Sequence, residues 1–139
     1  ATFDIMQPTY ITTIVQQYQI GQAVNLEKAM LATDRFDGHI VSGHVDGMAQ
    51  VTQVAEIDDT VLLTFKPEQP ILQRQIVPKG AITVSGVSLT VVTCATDTFT
   101  IGLIPHTLTH TTLSDIRVGD KVNLETDILA KYLMGATHE

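Results

Sequence analysis

Two glycine–histidine pairs, Gly38-His39 and Gly43-His44, fall within the thirteen residues Arg35 to Gly47. Glycine lets backbone come close to a ligand, and imidazole is the side chain that takes and gives a proton near neutral pH. On one continuous strand His39 and His44 would face opposite sides, and no cysteine lies near to complete a tetrahedral set, so a zinc site is not expected. Two readings stay open: histidines that only hydrogen-bond the backbone of a tight loop, or ligand contact by at least His44. A second constellation is Ser88 and Thr90, which alternate with Val87, Leu89 and Val91 and so put two hydroxyls on one face of a strand. By the same parity Gly102 and Ile104 point away from Phe99, Ile101 and Leu103. If the two strands pair, hydroxyls, a side-chain-free patch and one aliphatic group share a face that would admit a flat, polar-edged ring; an ordinary solvent face is the alternative. The run Leu103 to Thr112 reads as a strand ended by Pro105, then a loop of hydroxyls and imidazoles able to anchor a polyol. Its plainer reading has Thr107 capping a short helical turn and His106 and His110 exposed. Lys79 reads as a turn lysine. Cys94, which shares parity with Ser88, reads as an inert packing residue.

The elements that must position these groups are strands. Thr, Val and Ile make up 47 of the 139 residues, and β-branched side chains fit a pleated, half-buried surface, so the expected class is all-β. Alternation marks Val61–Phe65, Val87–Val91 and Phe99–Leu103, with turn signals at Asp58-Asp59, Lys79-Gly80, Ser85-Gly86, Thr96-Asp97 and Val118-Gly119-Asp120. This spacing predicts short antiparallel strands in a sandwich or small barrel. Short peripheral helices are predicted over 26–32, 69–76 and 128–133, with Gly80 and Gly135 as stops.

The segment Gln19 to Glu27 returns as Arg117 to Glu125, 98 positions later, both ending in Val-Asn-Leu-Glu. Thr9, Thr13 and Gly21 match Thr107, Thr111 and Gly119 at that offset, and Phe3 matches Phe99 after a two-residue gap. A period of that length is a whole domain, so the parent reads as a tandem duplication of which this chain holds the tail of copy one and all of copy two. Residues 1 to about 15 are read as a leftover strand, expected to be disordered or to pair with a second molecule in a dimer.

Composition narrows the partners. Eight basic against fifteen acidic residues give a net charge of −7, which disfavours nucleic acid and anionic membrane surfaces. No apolar run approaches the roughly 18 residues of a spanning helix, and a soluble cytoplasmic protein is expected. The single cysteine excludes an intrachain disulfide. Paired catalytic carboxylates, phosphate-binding glycine loops and serine-hydrolase elbows are absent.

Taken together, Val-Asn-Leu-Glu-Lys-Ala at 24–29, Gly-His-Ile-Val-Ser-Gly-His-Val-Asp-Gly at 38–47, Lys-Gly at 79–80, Gly-Val-Ser-Leu-Thr-Val at 86–91, Leu-Ile-Pro-His-Thr-Leu at 103–108 and Asn-Leu-Glu at 123–125 resemble riboflavin synthase. The match runs in order over nearly the whole chain. The resemblance implies a six-stranded antiparallel Greek-key barrel present twice in the parent, usually in a homotrimer joined by a C-terminal helix. The implied reaction converts two molecules of 6,7-dimethyl-8-ribityllumazine into riboflavin and a ribitylaminopyrimidinedione, without metal or organic cofactor. Residues 1–20 would then be a remnant of the first lumazine-binding barrel with its linker, and 21–139 the second barrel with a short C-terminal helix.

Carried over position by position, the family's ligand contacts in the second barrel are Gly43, His44, Val45, Lys79, Ser88, Leu89, Thr90 and the stretch Gly102, Leu103, Ile104, Pro105, His106 and Thr107. Those in the remnant are Asp4, Ile5, Met6, Gln7, Pro8 and Thr9. His44, Ser88 and Thr90 are the candidate catalytic residues, His44 as base or ring-orienting group and the two hydroxyls as donors to the ring's polar edge. The family's Met-Phe-Thr-Gly opening and the first barrel's Cys-Leu-Thr-Val element do not occur. Pro8 stands where a polar residue is common. A homo-oligomer is expected, the family's trimer or, for this chain, a dimer.

Overall fold

The structure, a computed structural model, describes residues 2–136. Six strands, β1 (Gly47–Ile57), β2 (Thr60–Pro67), β3 (Ala81–Val84), β4 (Val87–Cys94), β5 (Phe99–Leu103) and β6 (Lys121–Thr126), form a closed barrel in the order β1-β2-β5-β4-β3-β6. Every pairing is antiparallel, so the predicted all-β barrel is what forms. Two-residue turns join β1 to β2 at Asp58-Asp59 and β3 to β4 at Ser85-Gly86, and four residues, 95–98, join β4 to β5. Ser85 and Gly86, at φ 45° and 83°, have the double positive φ that matches the twist of the flanking strands.

Inward residues follow the alternation. Val51, Leu63, Phe65, Ile82, Val84, Val91, Phe99, Ile101, Leu103 and Leu124 are all at most 1% exposed, and the Phe65 and Phe99 rings stack at 5.4 Å between centroids. Closure leaves no free sheet edge, so these side chains are enclosed on every side. A bulge between Val91 and Thr93 shifts β4 by one residue. It overturns the expected parity of Cys94, which packs against the core beside Ile76 rather than on the Ser88 face. Burial pushes the Cys94 thiol above its ordinary pKa, in keeping with an unreactive packing residue.

Four helices lie outside the barrel: α1 (Gln7–Thr12), α2 (Pro70–Arg74), α3 (Pro105–His110) and α4 (Ile128–Ala136). Single 3₁₀ turns follow α1 at Ile14–Gln17 and α3 at Thr112–Asp115. Of the three predicted helices, those near 69–76 and 128–133 form, the latter running through Gly135 instead of stopping there. The predicted helix over 26–32 does not; that stretch is irregular, with Leu26 and Leu31 83% and 70% exposed. A short helix without an apolar face to bury is not stable by propensity alone.

The N-terminal segment also departs from expectation. Rather than a disordered strand, it makes α1 and a 3₁₀ turn that dock on the chain's own barrel, with Thr13 buried and Ile14 N–H donating to Asn123 Oδ1 at 2.8 Å. The 98-residue repeat is visible bond by bond. Thr13 Oγ1 donates to Thr9 O and Thr111 Oγ1 to Thr107 O, both at 2.8 Å. Thr112 N–H donates to Asn25 Oδ1, also at 2.8 Å, the reciprocal of the Ile14–Asn123 bond. Each copy's asparagine thus caps the other copy's 3₁₀ turn. The copy-one counterpart of β6, Ala23 to Glu27, is not a strand.

Candidate functional site

The outward face of β3, β4 and β5 gathers the polar groups that the parity argument singled out. Ser88 and Thr90 are exposed on β4, where they pair with Thr83 and Ala81 of β3. On the other side β5 pairs with β4 through Val91 and Ile101, next to Thr90 and Gly102 along their strands. Gly102 leaves a side-chain-free patch bordered by Thr60, Leu62 and Val92. Lys79, in the turn before β3, is fixed by its N–H donating to Val91 O at 2.8 Å. Lys79 itself is exposed. Two hydroxyls and a flat bare patch suit a planar ring with polar atoms on its rim.

His39 completes the wall. Its Nδ1 is 2.9 Å from Ser88 Oγ and its Nε2 3.1 Å from the buried Thr83 Oγ1. A neutral imidazole carries one N–H and one lone pair, so one of these hydroxyls donates to the ring and the other accepts from it. The sequence reading left His39 between backbone bonds in a tight loop and ligand contact and did not foresee its two side-chain partners, which lie 44 and 49 residues away; no local spacing signals them.

His44 is exposed and, among the described residues, makes no hydrogen bond. The preceding Gly43 is held by Glu125. Of the other expected contacts, the side chain of Leu103 is fully buried in the core and Leu89 packs against that core, so both face away from this patch. Ile104 is the N-cap of α3 and Pro105, His106 and Thr107 its first turn. Thr107 is not the cap, because no side chain caps α3; its carbonyl instead accepts from Thr111. His106 and His110 stack at 4.2 Å, both exposed.

Asp4 to Thr9 are exposed and sit at the repeat-equivalent positions of Gly102 to Thr107, with Met6 capping α1 as Ile104 caps α3. Their tail is tied to β6 through Asn123, two strands away from β4, and they are not gathered with Ser88 and Thr90. Two hollows also lie on that side. One of about 290 Å³ is lined by Tyr18, Asn25, Val41, Gly43, Val45, Ser85 and Glu125. It contains Gly43 and Val45 but none of Ser88, Thr90 and Gly102. A seam of that kind is what a segment lying against a barrel leaves behind, and the hydroxyl face is the better ligand candidate because its groups converge.

The profile of the lumazine binding domain matches residues 42–127, which span β1 to β6 and the loop carrying His44. The chain belongs to the lumazine binding domain family. Its curated relatives include the riboflavin synthase of Bacillus subtilis (strain 168), 45% identical over 99% of this chain and 64% of the relative. That of Schizosaccharomyces pombe (strain 972 / ATCC 24843) is 38% identical over 86% of this chain and 58% of the relative. The chain therefore spans roughly three fifths of the length of these relatives. Among solved structures, LumP complexed with riboflavin superposes with a TM-score of 0.73 at 28% identity, over 84% of this chain and 64% of that one. LumP complexed with 6,7-dimethyl-8-(1'-D-ribityl) lumazine reaches 0.76 at 23% identity over 87% and 64%, a likeness of fold. No helix of the described residues is long and apolar enough to cross a membrane.

Proposed function

We propose that this chain is the second lumazine-binding barrel of a riboflavin synthase, together with the closing segment of the first (residues 1–20). It holds one 6,7-dimethyl-8-ribityllumazine or riboflavin on the face formed by Ser88, Thr90 and Gly102. The observation that carries this reading is the convergence of two exposed hydroxyls and a bare glycine patch on adjacent strands, in a lumazine binding domain.

The synthase reaction moves a four-carbon unit from one lumazine to an identical partner. The protein's principal task is therefore to hold two rings against each other, and such pre-orientation can lower a barrier by about 7–11 kcal/mol. A donor ring loses a proton from its C7 methyl group, whose anion delocalises into the heterocycle, so a weak base suffices. His44, exposed and without a hydrogen-bond partner of its own, is the candidate for that base or for a ring-orienting contact. Ser88 and Thr90 donate to the polar rim, and Lys79 and His106 lie toward its edges. A single barrel presents one such cup, so this chain binds with little turnover and the partner surface comes from a first barrel or a second copy of the chain. A cytoplasmic homo-oligomer fits this role. The likeness to the LumP structures supports a second reading, a carrier that uses the same contacts for affinity alone.

Riboflavin fluorescence titration tests the proposal. The Ser88→Ala/Thr90→Ala double variant is expected to bind about tenfold to a hundredfold more weakly, at about 0.5–1.5 kcal/mol per lost hydrogen bond, with its thermal midpoint lowered only by loss of the exposed Ser88–His39 bond. Unchanged affinity removes the assignment. Incubating the full-length parent with 6,7-dimethyl-8-ribityllumazine alone separates the two readings, since only the synthase forms riboflavin.

A further inference from the structure

We infer that Glu125 is the residue that positions His44, acting through the backbone of the loop that carries it; this rests on the reading of His44 as a ligand contact. Glu125 lies on β6 and is only 6% exposed. Its carboxylate accepts from Ser42 N–H at 2.7 Å, Ser42 O–H at 2.7 Å and Gly43 N–H at 3.1 Å. No ion pair joins it among the described residues. Both oxygens of a buried carboxylate are thus spent on two consecutive residues, and hydrogen bonds to an ionised acceptor are roughly twice as strong as neutral ones.

The loop needs such a hold. Gly43 turns at φ +77°, a conformation that glycine adopts readily, and it carries no side chain that could pack the turn in place. Three residues on, Asp46 forms the other anchor, its N–H donating to Leu124 O at 2.8 Å and its Oδ2 accepting from Thr126 N–H at 2.7 Å. His44 and Val45 therefore lie between two attachments to one strand, and the His44 imidazole makes no hydrogen bond among the described residues. Asp46 also serves the fold, because Lys131 of α4 pairs with it at 2.8 Å. Glu125 serves Ser42 and Gly43 alone.

The test is riboflavin fluorescence titration of the whole chain and of Glu125→Gln, Ser42→Ala, His44→Ala and the doubles that combine each of the first two with His44→Ala. Glutamine keeps the shape but turns an NH₂ toward a backbone donor, so about a tenfold loss of affinity is expected for Glu125→Gln, and about threefold for Ser42→Ala. Both losses should disappear in the His44→Ala background. Losses of equal size in both backgrounds would show a general structural role and overturn the inference. So would wild-type affinity in Glu125→Gln and Ser42→Ala while His44→Ala binds weakly. Unchanged affinity in His44→Ala overturns the reading of His44 itself. Ser42 is exposed, so its cycle decides the matter even if Glu125→Gln does not fold.

Discussion

Phe65→Ala is expected to lower the unfolding free energy by about 3–5 kcal/mol, the range for truncating a fully enclosed aromatic ring. Phe65 is 0% exposed, faces Val51 on β1 and Phe99 on β5 in register, and stacks on the Phe99 ring. An open sheet could relax inward over the missing ring. A closed barrel cannot, because moving β2 inward strains its ladders to both neighbours, so most of the cavity persists and its cost remains. Domains of this size are stable by about 5–15 kcal/mol, and the variant therefore loses a large fraction of the total. Urea denaturation followed by circular dichroism measures it. Val54→Ala, on β1 but 38% exposed, should change stability by only about 0.5 kcal/mol. A loss below about 1 kcal/mol for Phe65→Ala would mean that the barrel interior is looser than its burial indicates.

Gly102→Leu should do the reverse, leaving stability nearly intact while weakening riboflavin binding about a hundredfold, equivalent to roughly 3 kcal/mol. A Cβ at Gly102 would stand 3.5 Å from Thr60 Cγ2, 3.6 Å from Leu62 Cδ2 and 3.7 Å from Val92 Cγ2. These are ordinary contacts, so the backbone accepts a side chain there without strain. That side chain has only the outward direction to take, onto the patch between the Ser88–Thr90 hydroxyls and β2. If the patch seats the flat ring, leucine occupies its place. A titration in which Gly102→Leu binds riboflavin as the parent chain does would show that the ring lies elsewhere.

The same groups show how far the sequence could be read. Strand faces were legible because inside and outside alternate residue by residue: Val87, Leu89 and Val91 turn inward and Ser88 and Thr90 outward as their parity demands. The duplication was legible because its capping asparagines recur at one spacing. Cys94 was misplaced because the bulge at Val92 shifts parity without a glycine or proline to mark it. The absent helix over 26–32 has helix-forming residues but no surface to bury them against. The N-terminal residues looked like a strand because Ile5, Ile11, Ile14 and Val15 favour strands, yet Pro8 near the start of α1 and the Asn123 cap select helical turns. Within the site, the hydroxyls and glycine were found from periodicity. His39 and Glu125 were not, since their partners are separated from them by 44 to 83 residues and only barrel closure brings them together.

The most direct measurement is a crystal structure of this chain with riboflavin bound. The account predicts the isoalloxazine ring flat over Gly102, its polar rim within hydrogen-bond reach of Ser88 and Thr90, and the His44 imidazole at its edge. A ring seated in the seam between Tyr18 and Ser85, with the hydroxyl face left to solvent, would contradict it.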